Sequence, residues 1–330
     1  MNHKRTTLTV LGILIAFLAF SRETKTNNIM DNFKSGKNEV AFKNGELSLA
    51  GHLYLPENFN PSKKYIAVVV GGSMTSVKEQ MAGAYAAKLA QEGLVALAFD
   101  YQNYGESDGE KRQYENPELK ASDIESAVSY LLLQPFVGEV AGLGVCTSAG
   151  NMAYVAAEDE RLGAFATVAA WLPNAEVLPL LYGSEQRVEE LRVIGRQAEN
   201  QYELNRENNI IPAYSNVDQT ASHVGPMEYY MDNSRGGGVS EWKNEFSVMS
   251  WNAWLDFDPM SKASSIDTPA MLVHSDGSAL PNNAKEFYNG LQGQKELVWL
   301  DGNHFDFYDQ EEKVNEAVKN ISRFFKQHLD

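Results

Sequence analysis

The chain has 330 residues, of which 43% are hydrophobic and 22% are charged, a composition typical of a globular protein with a large core. Lys and Arg number 28 against 44 Asp and Glu, and the resulting formal net charge of −16 at pH 7 excludes long-range attraction to nucleic acid or to an anionic membrane surface. A single cysteine, Cys146, excludes an intrachain disulfide and a thiolate metal cluster. The six histidines form no H-E-x-x-H motif, so we expect no metal, no cofactor and no nucleic-acid partner.

Residues 1–21 have the form of a secretory signal. The basic stretch His3–Arg5 precedes an apolar run from Leu8 to Phe20, and polar residues follow at once. The run of about 13 residues is shorter than the roughly 20 that a membrane-spanning helix needs. We therefore expect export to the periplasm, with residues 22–37 as a polar linker. An uncleaved N-terminal anchor facing the periplasm is the alternative.

Predicted strands and helices alternate after the linker. The stretch EVAFKNGELSLAGHLYLP predicts two antiparallel strands around a turn at residues 43–45. Continuous apolar runs separated by amphipathic or small-residue helices follow, in the order YIAVVVGG, VKEQMAGAYAAKLAQEG, LVALAFDY, ELKASDIESAVSYLLLQ, EVAGLGVC, the helix from Ala149 to Ala157, and AFATVAAWL. Buried strands that alternate with helices predict an α/β fold, with a mostly parallel sheet covered by helices on both faces.

The strand–helix rhythm breaks between residues 173 and 263. This segment has charged helical stretches, then aromatic and glycine-rich ones, and contains no buried strand. The rhythm resumes with TPAMLVHS, NNAKEFYNGLQG, KELVWLDG and a C-terminal helix from about Gln310. We interpret residues 173–263 as a mainly helical cap inserted into a core formed by residues 38–172 and 264–330.

The stretch GLGVCTSAGN lies between a predicted buried strand and a predicted helix, and it fits a nucleophile elbow in two frames. An elbow has small residues two positions before and two after the nucleophile, because the turn is too sharp for larger side chains there. One frame makes Ser148 the nucleophile, with Gly150 two residues later, and the other makes Cys146 the nucleophile, with Gly144 and Ser148 at the small positions. We favour Ser148, because Gly150 would let the helix pack closely against the sheet.

The predicted general base is His304, which follows the last predicted strand at the carboxyl edge of the sheet. His223, in the cap, is the reserve candidate. Asp276 follows the preceding strand and completes the chain order Ser148, Asp276, His304 that a triad on such a sheet requires. Other acids that could serve are Asp301, Asp256 and Asp258.

Two backbone amides are expected to bind the oxyanion of the reaction. The amide of Ala149 is one, and Met74 or Thr75, in the glycine-rich loop GGSMTSVKEQ, presents the other. Lys78 and Glu79 in the same loop are expected to form a solvated charge pair.

Aromatic side chains are abundant in the predicted cap and could line a substrate pocket. Trp251 and Trp254 share a helix face at i, i+3 spacing, and we predict that they touch the substrate.

Several of these motifs together resemble the α/β-hydrolase superfamily, over roughly residues 39 to 328. The closer resemblance is to a bacterial branch described as dienelactone-hydrolase-like or dipeptidyl-peptidase-like, through MTSVKEQ, GESDGEKRQYENP, GVCTSAGN, FSVMSW and HFDFYD. The acid loop departs from the pattern H-G-x-x-D, since residues 274–278 read His-Ser-Asp-Gly-Ser. Serine thus occupies the usual acid position, and the acid would have to act from Asp276.

These observations predict an exported serine hydrolase that cleaves an ester of a small or medium substrate through an acyl-enzyme. A short peptide or amide, or a lactone, is the nearest alternative substrate on the same triad. A catalytically inactive hydrolase fold that serves as a binding module is the alternative from another class.

Overall fold

An eight-stranded sheet forms the centre of the protein in a computed structural model that describes residues 33–329. The predicted export signal and most of the predicted linker lie outside the described residues. Within residues 33–329, no helix is both long enough and apolar enough to cross a bilayer.

The strands of the described chain are, in order, β1 (Gly36–Asn44), β2 (Leu47–Leu55), β3 (Tyr65–Gly71), β4 (Val95–Phe99), β5 (Val137–Val145), β6 (Leu162–Val168), β7 (Ile210–Ile211), β8 (Tyr214–Ser215), β9 (His223–Val224), β10 (Phe246–Ser247), β11 (Ala270–His274) and β12 (Lys295–Trp299). The α-helices are α1 (Met81–Gln91), α2 (Pro117–Leu132), α3 (Thr147–Glu158), α4 (Leu178–Tyr182), α5 (Glu185–Asn205), α6 (Glu228–Met231), α7 (Trp251–Leu255), α8 (Pro281–Gly290), α9 (Asp306–Asp309) and α10 (Glu311–Leu329).

The sheet has the strand order β1-β2-β4-β3-β5-β6-β11-β12. Strands β1 and β2 pair antiparallel, β2 pairs antiparallel with β4, and all later neighbours pair parallel. Helix α1 packs against α10 and α2 packs against α3, and both pairs contact strands of the sheet. The predicted mostly parallel sheet with its covering helices is confirmed.

The chain between β6 and β11 adds no strand to the central sheet. It contains helices α4 to α7 and two small sheets of two-residue strands, in which β10 pairs antiparallel with β7 and β8 pairs parallel with β9. Residues 34–329 nevertheless belong to one compact unit.

The turn between β5 and α3 lies near the centre of the sheet. Strand β5 lies between β3 and β6, and its last six residues, 140–145, are all buried. Loops that leave the carboxyl ends of parallel strands meet at this edge, where α/β proteins build their ligand sites.

Candidate active site

The turn from β5 to α3 consists of Cys146 alone. Strand β5 ends at Val145 and helix α3 begins at Thr147, and Cys146 adopts φ 56° and ψ −116°. A residue other than glycine at positive φ is strained, and such residues concentrate at functional sites, where the surrounding packing holds them. A strained residue at a strand-to-helix turn is the defining geometry of a nucleophile elbow. The backbone therefore gives the elbow position to Cys146.

The residues two positions from Cys146 have the size that this turn demands. A side chain at Gly144 would collide with the backbone of Ser148 and Ala149, so that only glycine fits there. Ser148 packs against β3. A Cβ atom added to Gly71 of this strand would lie 2.7 Å from the Cβ of Ser148. Gly144 and Ser148 are thus the small residues of the Cys146 frame.

The prediction of Ser148 as the nucleophile does not fit this geometry. Its side chain is fully buried, its Oγ donates a hydrogen bond to the carbonyl of Gly72 at 2.5 Å, and it lies 2.7 Å from the hydroxyl of Tyr101. The packing argument from Gly150 is also wrong, because a side chain there would collide with the ring of Phe257 and not with the sheet. Ser148 therefore has a structural position beneath the turn.

A cavity of about 290 Å³ opens beside Cys146. Among the described residues that line it, none is Asp, Glu, Lys or Arg, and most are aromatic or aliphatic. The lining residues are Met74, Cys146, Thr147, Trp171, Tyr214, His223, Pro226, Met227, Tyr230, Trp254, Gly277, Ser278, Ala279, His304, Phe305 and Tyr308. The cavity therefore suits an uncharged, largely apolar ligand.

His304 lines the same cavity as Cys146, on the loop between β12 and α9. Its Nδ1 accepts a hydrogen bond from the backbone N–H of Ala279 at 3.2 Å, and its Nε2 lies 3.0 Å from the hydroxyl of Tyr308. Since Nδ1 is an acceptor, the proton of the neutral ring is on Nε2, which donates to Tyr308. Burial, with a smaller contribution from His274, lowers the pKa of His304 to about 3.

The thiol of Cys146 has two hydroxyl neighbours. The Tyr308 hydroxyl shares the cavity with it, and Oγ1 of Thr147 lies 3.6 Å from the sulfur. Burial raises the pKa of the thiol, and Tyr308, the hydroxyl and amide of Thr147 and the charge of Lys120 oppose that effect. The tyrosine thus links the predicted base to the residue at the elbow, a connection that sequence spacing did not indicate.

Asp276 does not reach His304, which overturns the predicted third member of the triad. Its side chain is 79% exposed and forms an ion pair with Lys285 at 3.2 Å. The hydrogen bond from Lys285 lowers the pKa of this carboxyl. Asp256 pairs instead with Arg192, and Asp258 caps a short helix through the amide of Ser261.

Within residues 33–329, no carboxylate, Asp301 included, forms a hydrogen bond or an ion pair with His304. Ser278 lines the cavity where an acid would be expected. Its Oγ lies 2.8 Å from Oγ of Ser275, which donates to the carbonyl of Gly302 at 2.8 Å. A neutral pair of serines therefore occupies the acid position.

The amides of Ala149 and Met74, both predicted oxyanion donors, each donate a hydrogen bond in this structure, the first within the turn and the second to a side chain that lines the cavity. The amide of Ala149 donates to the carbonyl of Cys146 at 3.0 Å, so that it belongs to the turn itself. The amide of Met74 donates to Oγ1 of Thr147 at 3.1 Å. The Thr147 amide is the first of α3, and amides in the first turn have no acceptor inside their own helix. Thr147 replaces Ala149 as the candidate donor beside Met74.

A buried ion cluster supports the loop that carries Met74, contrary to the expectation of a solvated pair. The side chain of Lys78 is only 1% exposed, and its Nζ lies 2.8 Å from Asp100, 2.7 Å from Glu106 and 2.9 Å from Glu79. Asp100 also accepts the Lys78 amide at 2.7 Å. The cluster ties the loop after β3 to the loop after β4.

A second buried pair holds the neighbouring residue, Thr75. Glu115 and Lys120 are almost fully buried and lie 2.6 Å apart. The carboxylate of Glu115 accepts the amide of Thr75 at 3.3 Å and the hydroxyl of Tyr104 at 2.8 Å. Thr75 has φ 59°, and this pair holds it in that strained conformation. Its amide is therefore not available to an oxyanion.

Residues between β6 and β11 contribute aromatic side chains to the cavity, and one member of the predicted tryptophan pair is among them. Trp254 lines it, whereas Trp251 packs outside it against Tyr182, with ring centroids 5.5 Å apart. His223, the reserve base, also lines the cavity, and its Nδ1 lies 3.1 Å from the hydroxyl of Ser222. Burial lowers the pKa of His223 to about 4, so that it is a neutral part of the apolar lining at pH 7.

No model of a known protein family matches the chain. The uncharacterized protein YcjY of Escherichia coli is 28% identical over 317 residues, covering 88% of this chain and 99% of the relative. The uncharacterized protein PA2218 of Pseudomonas aeruginosa is 29% identical over 299 residues, covering 86% and 78%. A thiohydrolase of Aspergillus aculeatus, AneE, is 27% identical over 293 residues, covering 83% and 88%.

Solved structures match over most of the chain. The crystal structure of PA2218 superposes with a TM-score of 0.77 at 26% identity, covering 90% of this chain and 94% of that one. The α/β-hydrolase GrgF of a Penicillium species superposes with a TM-score of 0.71 at 22% identity, covering 90% and 99%. Several relatives and neighbours are named as hydrolases, which supports hydrolase activity in general. By its strand order and these superpositions, the chain has the α/β-hydrolase fold.

Proposed function

We propose that the protein is a cysteine hydrolase that cleaves an uncharged acyl thioester or ester through a thioester intermediate on Cys146. The observation that carries this proposal is the strained backbone of Cys146 at the turn from β5 to α3, in the cavity that His304 also lines. A thiolate is intrinsically a strong nucleophile, so a cysteine at this position needs less activation than a serine.

The surroundings of Cys146 support each part of this proposal. The amides of Thr147 and Met74 lie beside the elbow and would stabilise the oxyanion that forms on the acyl carbonyl. The cavity wall provides aromatic and aliphatic contacts for the acyl group and carries no formal charge among the described residues. The ester predicted from the sequence remains a candidate substrate, but the nucleophile is Cys146 in place of Ser148. The thiohydrolase relative AneE is in keeping with a thioester substrate.

The test compares the two residues that compete for the role of nucleophile. Acyl thioesters and p-nitrophenyl esters are incubated with the wild type and with the variants Cys146→Ala and Ser148→Ala. We expect Cys146→Ala to lose turnover by at least about a thousandfold, whereas Ser148→Ala keeps the nucleophile and loses less than about tenfold. Intact-mass and peptide analysis of the quenched wild type is expected to place the acyl adduct on Cys146.

Two outcomes would overturn the proposal. An acyl adduct on Ser148, or full activity of Cys146→Ala, would return the nucleophile to the serine. A folded wild type that neither turns over nor acquires an acyl adduct with any of these substrates would favour the inactive binding module.

We also propose that the protein is exported, from the basic and apolar pattern of residues 1–21. N-terminal sequencing of the mature protein from its native host is expected to begin after the apolar run. Retention of the full N-terminus with membrane association would favour the uncleaved anchor.

A further inference from the structure

We propose that this site selects substrates whose leaving group departs as a stable anion, thioesters above all, because His304 is held as a hydrogen-bond donor and has no carboxylate partner among residues 33–329. This inference rests on the function proposed above for Cys146.

A chain of hydrogen bonds with a single direction runs through the site. The amide of Ala170 donates to Nδ1 of His274 at 3.2 Å, which puts the ring proton of His274 on Nε2, facing the carbonyl of Ala279 at 3.1 Å. The amide of Ala279 donates in turn to Nδ1 of His304. His274 is buried and burial lowers its pKa to about 4, so that both rings are neutral at pH 7. The two rings together bind the carbonyl and the amide of Ala279.

The same direction continues to the sulfur. Nε2–H of His304 donates to the Tyr308 oxygen at 3.0 Å, which leaves the Tyr308 hydroxyl proton free to turn toward Cys146, and the influence of this hydroxyl lowers the pKa of the thiol. Every donor in the chain points toward the sulfur atom. This arrangement stabilises a thiolate by hydrogen bonding and leaves no acceptor for its proton.

His304 cannot take up a second proton in this arrangement. In a serine or cysteine triad, Nδ1–H donates to a carboxylate, which leaves Nε2 free to accept the proton of the nucleophile and later to protonate the leaving group. Here a second proton on Nδ1 would face the N–H of Ala279. Among the described residues, the titratable side chains that line the cavity with His304 are Cys146, Tyr214, His223, Tyr230 and Tyr308, and none of them is a carboxylate. His274 from β11 also acts on the pKa of His304. The imidazolium ion therefore has no partner.

The reaction then proceeds without general acid catalysis. The thiol proton of Cys146 passes to solvent, the thiolate attacks the acyl carbon, and the bond from that carbon to the leaving group breaks. A leaving thiolate departs as an anion and takes a proton from water. An alkoxide or amine leaving group needs a proton in the transition state, which the site does not supply. Water then adds to the acyl-enzyme, the bond from the acyl carbon to sulfur breaks, and the carboxylic acid, a proton that passes to solvent and the Cys146 thiolate are released.

A leaving-group series on the wild-type protein tests this selectivity. One neutral acyl group is presented as an aryl thioester, an alkyl thioester, a p-nitrophenyl ester and an ethyl ester, and each kcat/KM is divided by the rate constant for hydroxide hydrolysis. We expect the thioesters and the aryl ester to react at least about a hundredfold faster than the ethyl ester after this correction, the low end of what general acid catalysis contributes. Equal corrected values across the series would overturn the inference.

Two variants at the acid position sharpen the test. Ser278→Asp restores a carboxylate beside His304, and Ser278→Asn has the same size without the charge. We expect Ser278→Asp to lower the ratio of the corrected kcat/KM for the thioester to that for the ethyl ester by about tenfold or more. Ser278→Asn should leave this ratio unchanged. An equal change of this ratio in both variants would contradict the proposed effect of the absent carboxylate charge.

The pH dependence of the wild type provides a measurement that needs no variant. Because His304 is held as a donor and burial lowers the pKa of His223 to about 4, the thioester kcat/KM is expected to rise about tenfold per pH unit from pH 6 to pH 8, following the thiolate fraction of a thiol whose pKa burial has raised. A plateau governed by a group that titrates between pH 6 and 7 would overturn the inference. Absence of any acyl adduct on Cys146 would instead refute the function proposed above, which keeps the two failures distinct.

Discussion

The thiol of Cys146 and the hydroxyl of Ser148, two residues apart, lie in different surroundings on either side of one turn. Cys146 lines the cavity that His304 shares, whereas Ser148 is fully buried and donates to the carbonyl of Gly72. The separation follows from the path of the chain, which leaves the sheet at Cys146 and enters the helix at Thr147. Cys146 and Ser148 both fit the elbow motif in the sequence, and their surroundings in the fold distinguish them.

Gly144→Ala tests the elbow directly. The added methyl group would collide with the backbone of Ser148 and Ala149, so we expect the free energy of unfolding to fall by about 1–3 kcal/mol, together with a loss of Cys146 acylation. The measurement is urea denaturation followed by quantification of the acyl adduct. Gly138→Ala is the matched control in the same strand, since its Cβ would meet only ordinary contacts at 3.6 Å. Equal stability of the two variants would contradict the assigned frame.

Tyr308→Phe tests the donor to the sulfur. Without the hydroxyl, the Cys146 thiolate loses a charge-assisted hydrogen bond, so we expect alkylation by iodoacetamide at pH 7.5 to slow by about tenfold. Tyr85→Phe is the control, because it removes a buried hydroxyl that donates to the carbonyl of Phe307 at 2.8 Å and has no bond to Cys146. Unchanged or faster alkylation of Tyr308→Phe would argue against the proposed stabilisation of the thiolate.

A kinetic burst is expected with aryl thioesters. Attack of water on the acyl-enzyme has no base to assist it, so deacylation should be slower than acylation. Stopped-flow measurement of the released thiol is expected to show a burst of about one equivalent per Cys146, and hydroxylamine should raise the steady-state rate. Ser278→Asp should shrink the burst by speeding deacylation. Linear product release from the first turnover would be the contrary result.

Lys78→Met tests the buried ion cluster beneath the oxyanion loop. The substitution leaves Asp100 buried without its counter-ion, and we expect a loss of about 3–5 kcal/mol in the free energy of unfolding. Lys285→Met is the control, because its ion pair with Asp276 is largely exposed and should contribute less than about 1 kcal/mol. Denaturation of both variants at pH 7 measures the difference. A similar small loss in both would mean that Lys78 is solvated, as its sequence context suggested.

Local patterns were sufficient to predict most of the architecture. Apolar runs between amphipathic helices predicted the parallel sheet. Each strand and each helix can be recognised from the spacing of its own apolar residues, because each element must bury those side chains. The position of the elbow after a buried strand, and of His304 after the last strand, followed from the same order of elements. These predictions depend on residues that are close together along the chain, and the sequence shows that order directly.

The choice between Cys146 and Ser148 depended on contacts across the sheet, where Gly71 on β3 leaves room for only one small side chain under the turn. The role of Asp276 likewise depended on the distance between two loops, and the loop places it in solvent with Lys285. Lys78 is charged and lies in a loop, yet carboxylates from another loop bury it. The sequence by itself determined the order of strands and helices and the segment that forms the elbow. Only the tertiary structure decided which side chains meet, because those contacts join residues far apart in the chain through packing that no local pattern encodes.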